Sequence, residues 1–377
     1  MSLIIDIHAL QTLPPSLINR DDTGAPKSAV YGGVPRQRVS SQSWKRAIRK
    51  DFEETFDPAS VGYRTKHVVE LVVNKIRELG GEDWTAGRAE ERVAQAFKVV
   101  KIKLVEPKVK ETDSEEEQRR IFQQTGYLLF LSPRQIENLA QAIVDADGEN
   151  LKKTDVAKLI DTDHSVDIAM FGRMVADDAA YNVDASVQVA HAIGIHESEP
   201  EFDFFTAVDD VVEDHDETGA GMMGTVQMMS STLYRFATLD VESLAENLGD
   251  REAAVTAAVA FVRSFITSLP TGKQNTFAHN TLPELVYVTV REDRSISLVN
   301  AFENPVAAGS NEGRRQAGAR ALAEEEKSIE SAYGFVPARA FVVGLGDLTE
   351  PFQDIATTTT LPELDGLVRE AIAEAGA

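Results

Sequence analysis

Residues 31–50 read YGGVPRQRVSSQSWKRAIRK, a stretch that passes from a glycine turn through an extended segment into a helix. Ser40 and Ser41 are N-cap residues, and Trp44, Ile48 and Phe52 then fall four apart as the apolar seam of the helix SQSWKRAIRKDFEE. Upstream, residues 3–10 read as a strand, with Leu3, Ile5 and Ile7 alternating against Ile4, Asp6 and His8. Pro14-Pro15, Gly24, Pro26, Gly32-Gly33 and Pro35 make residues 11–39 a long loop between the two.

Downstream, residues 61–160 are helical in character. VVELVVNKIREL, AEERVAQAFKVV, IENLAQAIVDA and KTDVAKLI each space apolar residues for one helix face. KETDSEEEQRR (110–120) reads as a solvated loop or helix end, and GYLLFLSPRQIE as a strand entering a helix. Beyond this block the period changes. SVDIAMFGRM and ASVQVAHAIGIH read as strands, the second equally as a helix, and GTVQMMSSTLYRFATLD and ELVYVTVRED are strands. AAVTAAVAFVRSFITSL between the last two is an amphipathic helix, and the tail adds an Ala/Glu/Arg-rich helix and LPELDGLVREAIAEA. The order strand, helix, helical insertion, strands, helix, strand predicts an α+β fold with helices on one face of an antiparallel sheet.

The charge of the opening stretch runs against the rest of the chain. The 377 residues carry a formal net charge of −23, yet residues 23–50 contain no acidic residue. They hold Lys27, Arg36, Arg38, Lys45, Arg46, Arg49 and Lys50. A polyanion responds to the local field within about 10 Å at moderate salt, so the overall acidity does not veto a basic groove. The chain has no cysteine, which excludes disulfides, thiolate metal sites and thiol nucleophiles. MSLIIDIHAL has no basic segment before its short apolar run, which Asp6 interrupts. No run approaches the roughly 20 apolar residues of a membrane span. The expectation is a cytoplasmic protein without membrane attachment.

On a helix, Lys45 and Arg49 share one face, and Arg46 and Lys50 an adjoining one. Backbone N–H groups at residues 40–43 point towards any anion placed at the helix start. Arg36 and Arg38, two apart in an extended segment, point the same way, with Arg20 and Lys27 upstream. This is the arrangement that positions a nucleic-acid backbone without reading its bases; the same residues would equally form a solvated basic face. Gly219-Ala220-Gly221-Met222-Met223-Gly224 fits GxGxxG, but Glu213, Asp214, Asp216 and Glu217 precede it and a β-like run follows. A pyrophosphate site needs a strand before and a helix after, so these residues read as a flexible loop. Phe202, Phe204 and Phe205 in EFDFFTAVDD are placed either to stack on unpaired bases or to fill a core. His191 and His196 are five apart with no third ligand, and His8 reads as a packed histidine. Asp21 and Asp22 could hold a metal ion for phosphodiester cleavage, or form a turn with a local ion pair. There is no Walker loop, nucleophile elbow or zincin helix.

LINRDDTGAPKSAVYGGVPRQRVSSQSWKRAIRK (17–50) closely resembles the signature of the CasC family, the backbone subunit of the type I-E CRISPR Cascade surveillance complex. VDIAMFGRM, VQVAHAI, FFTAVDD, SSTLYRFA, ENLG, KQNTFA and NAFENPV follow in the family's order, and the resemblance fades after about residue 305. It implies a ferredoxin-like, RRM-related palm over residues 1–56, 161–175, 186–200 and 224–302. An inserted helical fingers subdomain (57–160), a thumb-like β-hairpin (201–223) and a C-terminal palm extension (303–377) complete it. Copies of such a subunit stack along a CRISPR RNA beside other Cascade subunits, grip its backbone, kink it at intervals and present the spacer to target DNA. The resemblance implies no enzyme activity, cofactor or metal; a metal-dependent endoribonuclease is the alternative. Carried over by position, Arg20, Lys27, Ser40, Gln42, Lys45 and Arg49 contact RNA phosphates, with Arg46 as contact or support and Arg36 and Arg38 alongside. Met170 and Arg173 fall near the RNA path, and Phe205 and Thr206 beside the kinked base. Lys152, Lys153 and Lys158 form a lysine-bearing helix for duplex DNA. Two positions depart from the pattern: Phe204 stands where a tryptophan is expected, and GGVPR is less basic than usual, which shifts load to Arg36.

Overall fold

A computed structural model describes residues 2–107, 122–175, 178–208, 220–307, 309 and 312–375. The chain forms two compact units. The first comprises Met1–Asp51, Gln188–Val241 and Val255–Ala377; the second, Phe52–Val187 and Glu242–Ala254.

The first unit is built on β1 (Ile4–Ser16). Its ladders run antiparallel to β6 (Ala220–Asp240) on one side and β7 (Leu285–Arg291) on the other, with Ile4 opposite both Asp240 and Arg291. The strand therefore continues well past the predicted Leu10. Pro14 and Pro15, neither of which has an N–H to donate to a ladder, sit where the register with β6 slips between Leu13 and Ser16. Further strands of this unit are β2 (Ser28–Tyr31), β3 (Val34–Val39), β4 (Ala192–Gly194), β5 (Glu201–Val208), β8 (Arg339–Gly344) and β9 (Thr357–Thr358). The sheet order is β9-β8-β7-β1-β6-β4-β3-β2, with β5 also paired to β6. Only the short β8–β9 pairing is parallel among these ladders.

The stretch read as one long loop thus contains a hairpin. Gly32 and Gly33 lie between the paired residues Tyr31 and Val34, at φ +58° and +81°. Positive φ at both central positions is the type I′ geometry that glycine allows. Gly32 has a second reason to be glycine, since a Cβ there would lie 1.7 Å from the Glu303 carbonyl oxygen.

Helices cover both faces of the sheet, not one. On one face lie α1 (Ser41–Thr55) and α2 (Arg251–Thr267). On the other lies α3 (Arg314–Tyr333), whose Ala319, Leu322 and Ala323 pack with Leu10, Tyr234 and Tyr287. This two-sided cover explains why Ile4, Ile5, Asp6, Ile7, His8, Ala9 and Leu10 are all buried. On the α3 face, the buried carboxylate of Asp6 is satisfied. Asp6 accepts from Ser295 Oγ and the Ile296 amide, both at 2.8 Å, and pairs with Arg291 at 3.4 Å. Arg291 also pairs with Glu326 of α3 at 2.5 Å. The last helix, α4 (Leu361–Ala375), is tied to α2 by the Arg263–Asp365 ion pair at 2.6 Å.

The second unit is mainly helical, with helices Val68–Gly80, Ala86–Val99, Pro133–Asp145 and Lys153–Ile160 around a core that includes Val72, Ile76, Val93, Phe97, Leu139 and Ile143. The strand Leu129–Leu131 enters its helix as GYLLFLSPRQIE predicts, and Ser132 and Gln135 form a capping box there. VDIAMFGRM is a correction. Val166–Phe171 is a helix, not a strand. Asp167, Ile168, Ala169 and Met170 are all buried, so no polar face remains to reveal the 3.6-residue period. The charged run 110–120 and the acidic run 209–217 lie outside the described residues, as does Gly219. The rest of GAGMMG belongs to β6 rather than to a loop. No helix among the described residues is long and apolar enough to cross a membrane.

Candidate nucleic-acid interface

The start of α1 is fixed by its own sequence neighbours. Ser40 Oγ accepts from the Ser43 amide at 3.3 Å, while the Ser40 amide donates to Asn19 Oδ1 at 2.9 Å. The Asn19 carbonyl accepts from the Lys27 amide, and the Lys27 carbonyl from the Arg38 amide, both at 2.9 Å. Asn19 thus clips the RDD loop to the helix start, and Lys27 clips it to β3. Inside the loop, Asp21 Oδ1 accepts from Thr23 Oγ1 at 2.7 Å and from the Thr23 and Ala25 amides at 2.9 and 3.0 Å. The Thr23 hydroxyl bond, with the backbone bonds behind it, holds the Asp21 carboxyl below its ordinary range. That carboxylate is engaged in shaping the turn. Among the described residues, no group of three or more His, Asp or Glu is arranged to hold a metal ion.

The predicted ligands separate by exposure. Trp44, Ile48 and Phe52 of α1 are buried, which turns Gln42, Lys45 and Arg49 into one outer strip and Ser43, Arg46, Ala47 and Lys50 into the next. Arg20, Gln42, Arg46 and Lys50 are exposed, and Lys27, Arg38, Lys45 and Arg49 are half-buried. Burial lowers the Lys45 pKa. Arg38 shares a hydrogen bond with His191 Nδ1 at 3.1 Å. Arg36 is a correction: it is fully buried, and its guanidinium donates to the carbonyls of Gly194 at 2.9 Å and of Phe302 and Glu303 at 3.1 Å. It bolts the hairpin onto NAFENPV instead of bearing phosphate load. Ser40, 5 % exposed, acts as the cap.

Under α1 lies a second buried cation, unassigned by the sequence reading. The Arg235 guanidinium of SSTLYRFA sits 3.7 Å from the Trp44 ring centroid and 4.4 Å from that of Phe265. It donates to Gln11 Oε1 at 2.6 Å and to the Phe265 carbonyl in the last turn of α2, whose dipole favours a cation. Burial pulls its pKa down to about 9.

Beside α1 is a cleft of about 370 Å³ between residues 17–20, the Ser43–Lys50 face and the turn 269–273. Arg20, Arg46, Lys50 and Lys273 line it, with no acidic residue in its wall among the described residues. Lys273 is the member that sequence reasoning missed. Its signal was the KQNTFA motif, to which no role had been given.

On the β5–β6 hairpin, Phe202, Phe204 and Thr206 pair with Gln227, Thr225 and Met223, so these residues share one face. Phe202, Phe204 and Met223 are 70 %, 63 % and 66 % exposed. Phe205 points to the other face and lies over Gly224, where a Cβ would come within 2.5 Å of its ring. Phe205 and Thr206, expected together beside one base, are therefore on opposite faces. Met170 and Arg173 are buried rather than at the surface: Met170 is fully enclosed, and Arg173 donates to the Ile160 and Tyr181 carbonyls and to Asp161. In the second unit, Lys152 and Lys153 are exposed at the start of their helix and Lys158 near its end.

The model of the CT1975-like protein family matches residues 5–369. The chain belongs to this family. The CT1975-like chain is similar over 98 % of its length to the whole of a chain from a solved "CRISPR RNA-guided surveillance complex, pre-nicking", at 32 % identity and a TM-score of 0.81. A second solved chain, from a "CRISPR RNA-guided surveillance complex", is 27 % identical with a TM-score of 0.71, covering 97 % of this chain and 99 % of that one. Comparison with curated proteins gives no match. The mixed α+β architecture of this CT1975-like protein, around one large mixed sheet, agrees with an RRM-related fold.

Proposed function

We propose that this CT1975-like protein is a CRISPR RNA-binding backbone subunit of a Cascade-type surveillance complex, of type I-E, and that it is not an enzyme. In this reading the first unit is the palm, the helices of residues 57–160 are the fingers and the β5–β6 hairpin is the thumb. The observation that carries it is the acid-free outer strip of α1, Gln42, Lys45 and Arg49, presented beside the clipped Asn19–Lys27 loop. The full-length similarity to chains of RNA-guided surveillance complexes supports it.

The work done is binding. Cations on α1 and its loop neutralise successive RNA phosphates, which fixes the path of the guide without reading its sequence. The exposed Phe202, Phe204 and Met223 face offers a stacking or wedging surface at which one base leaves the stack. Copies repeated along the guide hold the bases between such breaks in a pre-ordered form, lowering the entropic cost of pairing with target DNA.

The test is salt-dependent binding of labelled single-stranded RNA by the wild type and by Lys45→Glu/Arg49→Glu, with an aliquot held in Mg²⁺ and run on a gel. Sequence-indifferent binding with a steep salt slope is expected. The variant should lose about 1.4 units of that slope beyond any loss of affinity, at about 0.7 per phosphate for single strands, and the RNA should stay intact. Equal binding by both proteins would refute the assignment of this strip. Cleavage that requires Mg²⁺ and Asp21 or Asp22 would establish the endoribonuclease instead.

A further inference from the structure

We infer that the cleft beside α1 is a distinct phosphodiester subsite that takes one nucleotide of the bound RNA, with Lys273 as its outer cation; this rests on the RNA-binding reading above. The cleft is separate from the Lys45–Arg49 strip because it opens on the adjoining face of the helix, formed by Ser43, Arg46, Ala47 and Lys50.

Its chemistry points to a phosphate ester. Arg20, Arg46, Lys50 and Lys273 come from three separate segments of an acidic chain and converge on one space with no carboxylate in the wall among the described residues. Guanidinium groups match phosphate oxygens in a bidentate way, and an ammonium adds a point charge. The inner wall is apolar, with Leu17, Ile18, Ala47, Leu269 and Pro270. An apolar wall lowers the local dielectric and strengthens a charge pair formed against it. At about 370 Å³ the space accommodates a ribose with its phosphate and is large for a bare ion.

The Lys273 side of the cleft is preorganised. A Cβ on Gly272 would lie 2.2 Å from the Ile18 carbonyl oxygen, so the turn is packed backbone to backbone against the residues leading into the RDD loop. Lys273 itself has φ +52°, a left-handed conformation that is strained for a non-glycine residue. The Lys273 carbonyl accepts from the Thr276 and Phe277 amides at 3.0 and 3.1 Å, and the buried His279 hydrogen-bonds to the Pro270 carbonyl at 3.1 Å. Gln11 of β1 holds the far end through the Thr281 carbonyl at 2.7 Å. A turn tied to β1 and to the RDD loop, with a strained lysine at its apex, is built to hold one cation in place. This gives KQNTFA a role.

The experiment uses the full chain and a labelled single-stranded oligouridylate, with two readouts. The first is the salt slope of binding for wild type, Lys273→Gln, Lys273→Arg and Arg46→Gln. The second is acetylation of Lys273 by a lysine-selective reagent, followed by mass spectrometry with RNA, with inorganic phosphate at equal phosphate concentration, or with neither. Lys273→Gln and Arg46→Gln should each lower the slope by about 0.7, Lys273→Arg should keep it, and RNA alone should protect Lys273. If the slope responds to Lys45→Glu/Arg49→Glu but not to Lys273→Gln, and Lys273 reacts equally with and without RNA, the cleft is not a subsite while the RNA-binding reading stands. Equal protection by inorganic phosphate would make it a free-anion site and overturn the nucleotide assignment. Absence of RNA binding by the wild type would overturn both.

Discussion

His8 gives the first unit a built-in acid limit. It lies on β1, fully buried, with its ring 5.1 Å from Phe236 and 5.6 Å from Tyr287, centroid to centroid. Nδ1 shares a 2.9 Å hydrogen bond with the Tyr234 hydroxyl, and Nε2 has no partner among the described residues. Burial, reinforced by the charge of Arg291, lowers its pKa from 6.5 to about 3. Because the folded-state value is depressed, the neutral ring contributes full stability above pH 6.5, and that contribution is lost as pH falls towards 3. At 1.36 kcal/mol per pH unit below 6.5, acidification to pH 5 should cost about 2 kcal/mol from this residue alone. A phenylalanine keeps the aromatic packing but cannot titrate, so His8→Phe should lose roughly 1 kcal/mol at pH 7 for the hydrogen bond and then escape the acid penalty. The chain has two tryptophans, Trp44 in the first unit and Trp84 in the second. Urea titration by fluorescence in a Trp84→Phe background therefore reports the first unit through Trp44. The titrations of Asp6, Glu326, His191 and His196 are common to both proteins and cancel in the difference. Wild type and variant should converge or cross between pH 7 and pH 5, by about 2 kcal/mol. A difference that stays constant over that interval would refute the burial argument for His8.

The glycine turn offers a paired test by thermal denaturation. Gly32→Ala puts a Cβ against the Glu303 carbonyl at positive φ and should cost roughly 2–3 kcal/mol or more, whereas Gly33→Ala, with open space around it, should cost only about 1 kcal/mol. Trp44→Ala should lose about 3–5 kcal/mol in urea titration, since it empties a fully buried site and uncovers Arg235. Arg36→Met leaves three carbonyls without their donor, and should lower the thermal midpoint more than Arg20→Met, which is exposed. Asp21 has a depressed folded-state pKa, so its contribution to the loop is present at neutral pH and lost as pH falls through the carboxylate range. Asp21→Asn should remove that acid dependence, seen as loop-amide exchange by NMR, while RNA held with Mg²⁺ remains uncut.

Period and punctuation carried the main elements. The α1 seam, the strand that enters a helix at GYLLFLSPRQIE and the long β6 run were legible because each shows one buried and one polar face, or a turn residue with a specific use. VDIAMFGRM failed for the opposite reason, since a helix enclosed on all sides shows no alternation to read. Cover on both faces of the sheet was not legible in β1, where Asp6 looks like an exposed position but is buried with partners from distant segments, Ser295 and Arg291. The hairpin inside the supposed loop was hidden because its four-residue strand β2 alternates weakly and carries an exposed Val30.

The same long-range dependence governs the site. Residue type identifies a cation and local spacing identifies its helix face, so Lys45 with Arg49, and Arg46 with Lys50, separate correctly from sequence. Whether a given arginine is a ligand or a rivet is decided by groups far along the chain. Arg36 is consumed by carbonyls at residues 194, 302 and 303, Arg173 by a local loop, and Arg235 by two aromatic rings from two helices. These buried cations are what hold the surface ones in position. Arg36 joins the hairpin to residues 302–303, Arg235 seats α1 on the sheet, and neither needs contact with RNA to be required for binding it. Loss of binding on substitution therefore does not by itself mark a phosphate contact. The discriminating quantity is the salt slope: removing an exposed contact at Arg46 or Lys273 lowers it, whereas removing Arg36 or Arg235 lowers the amount of folded protein and leaves the slope of the folded fraction unchanged.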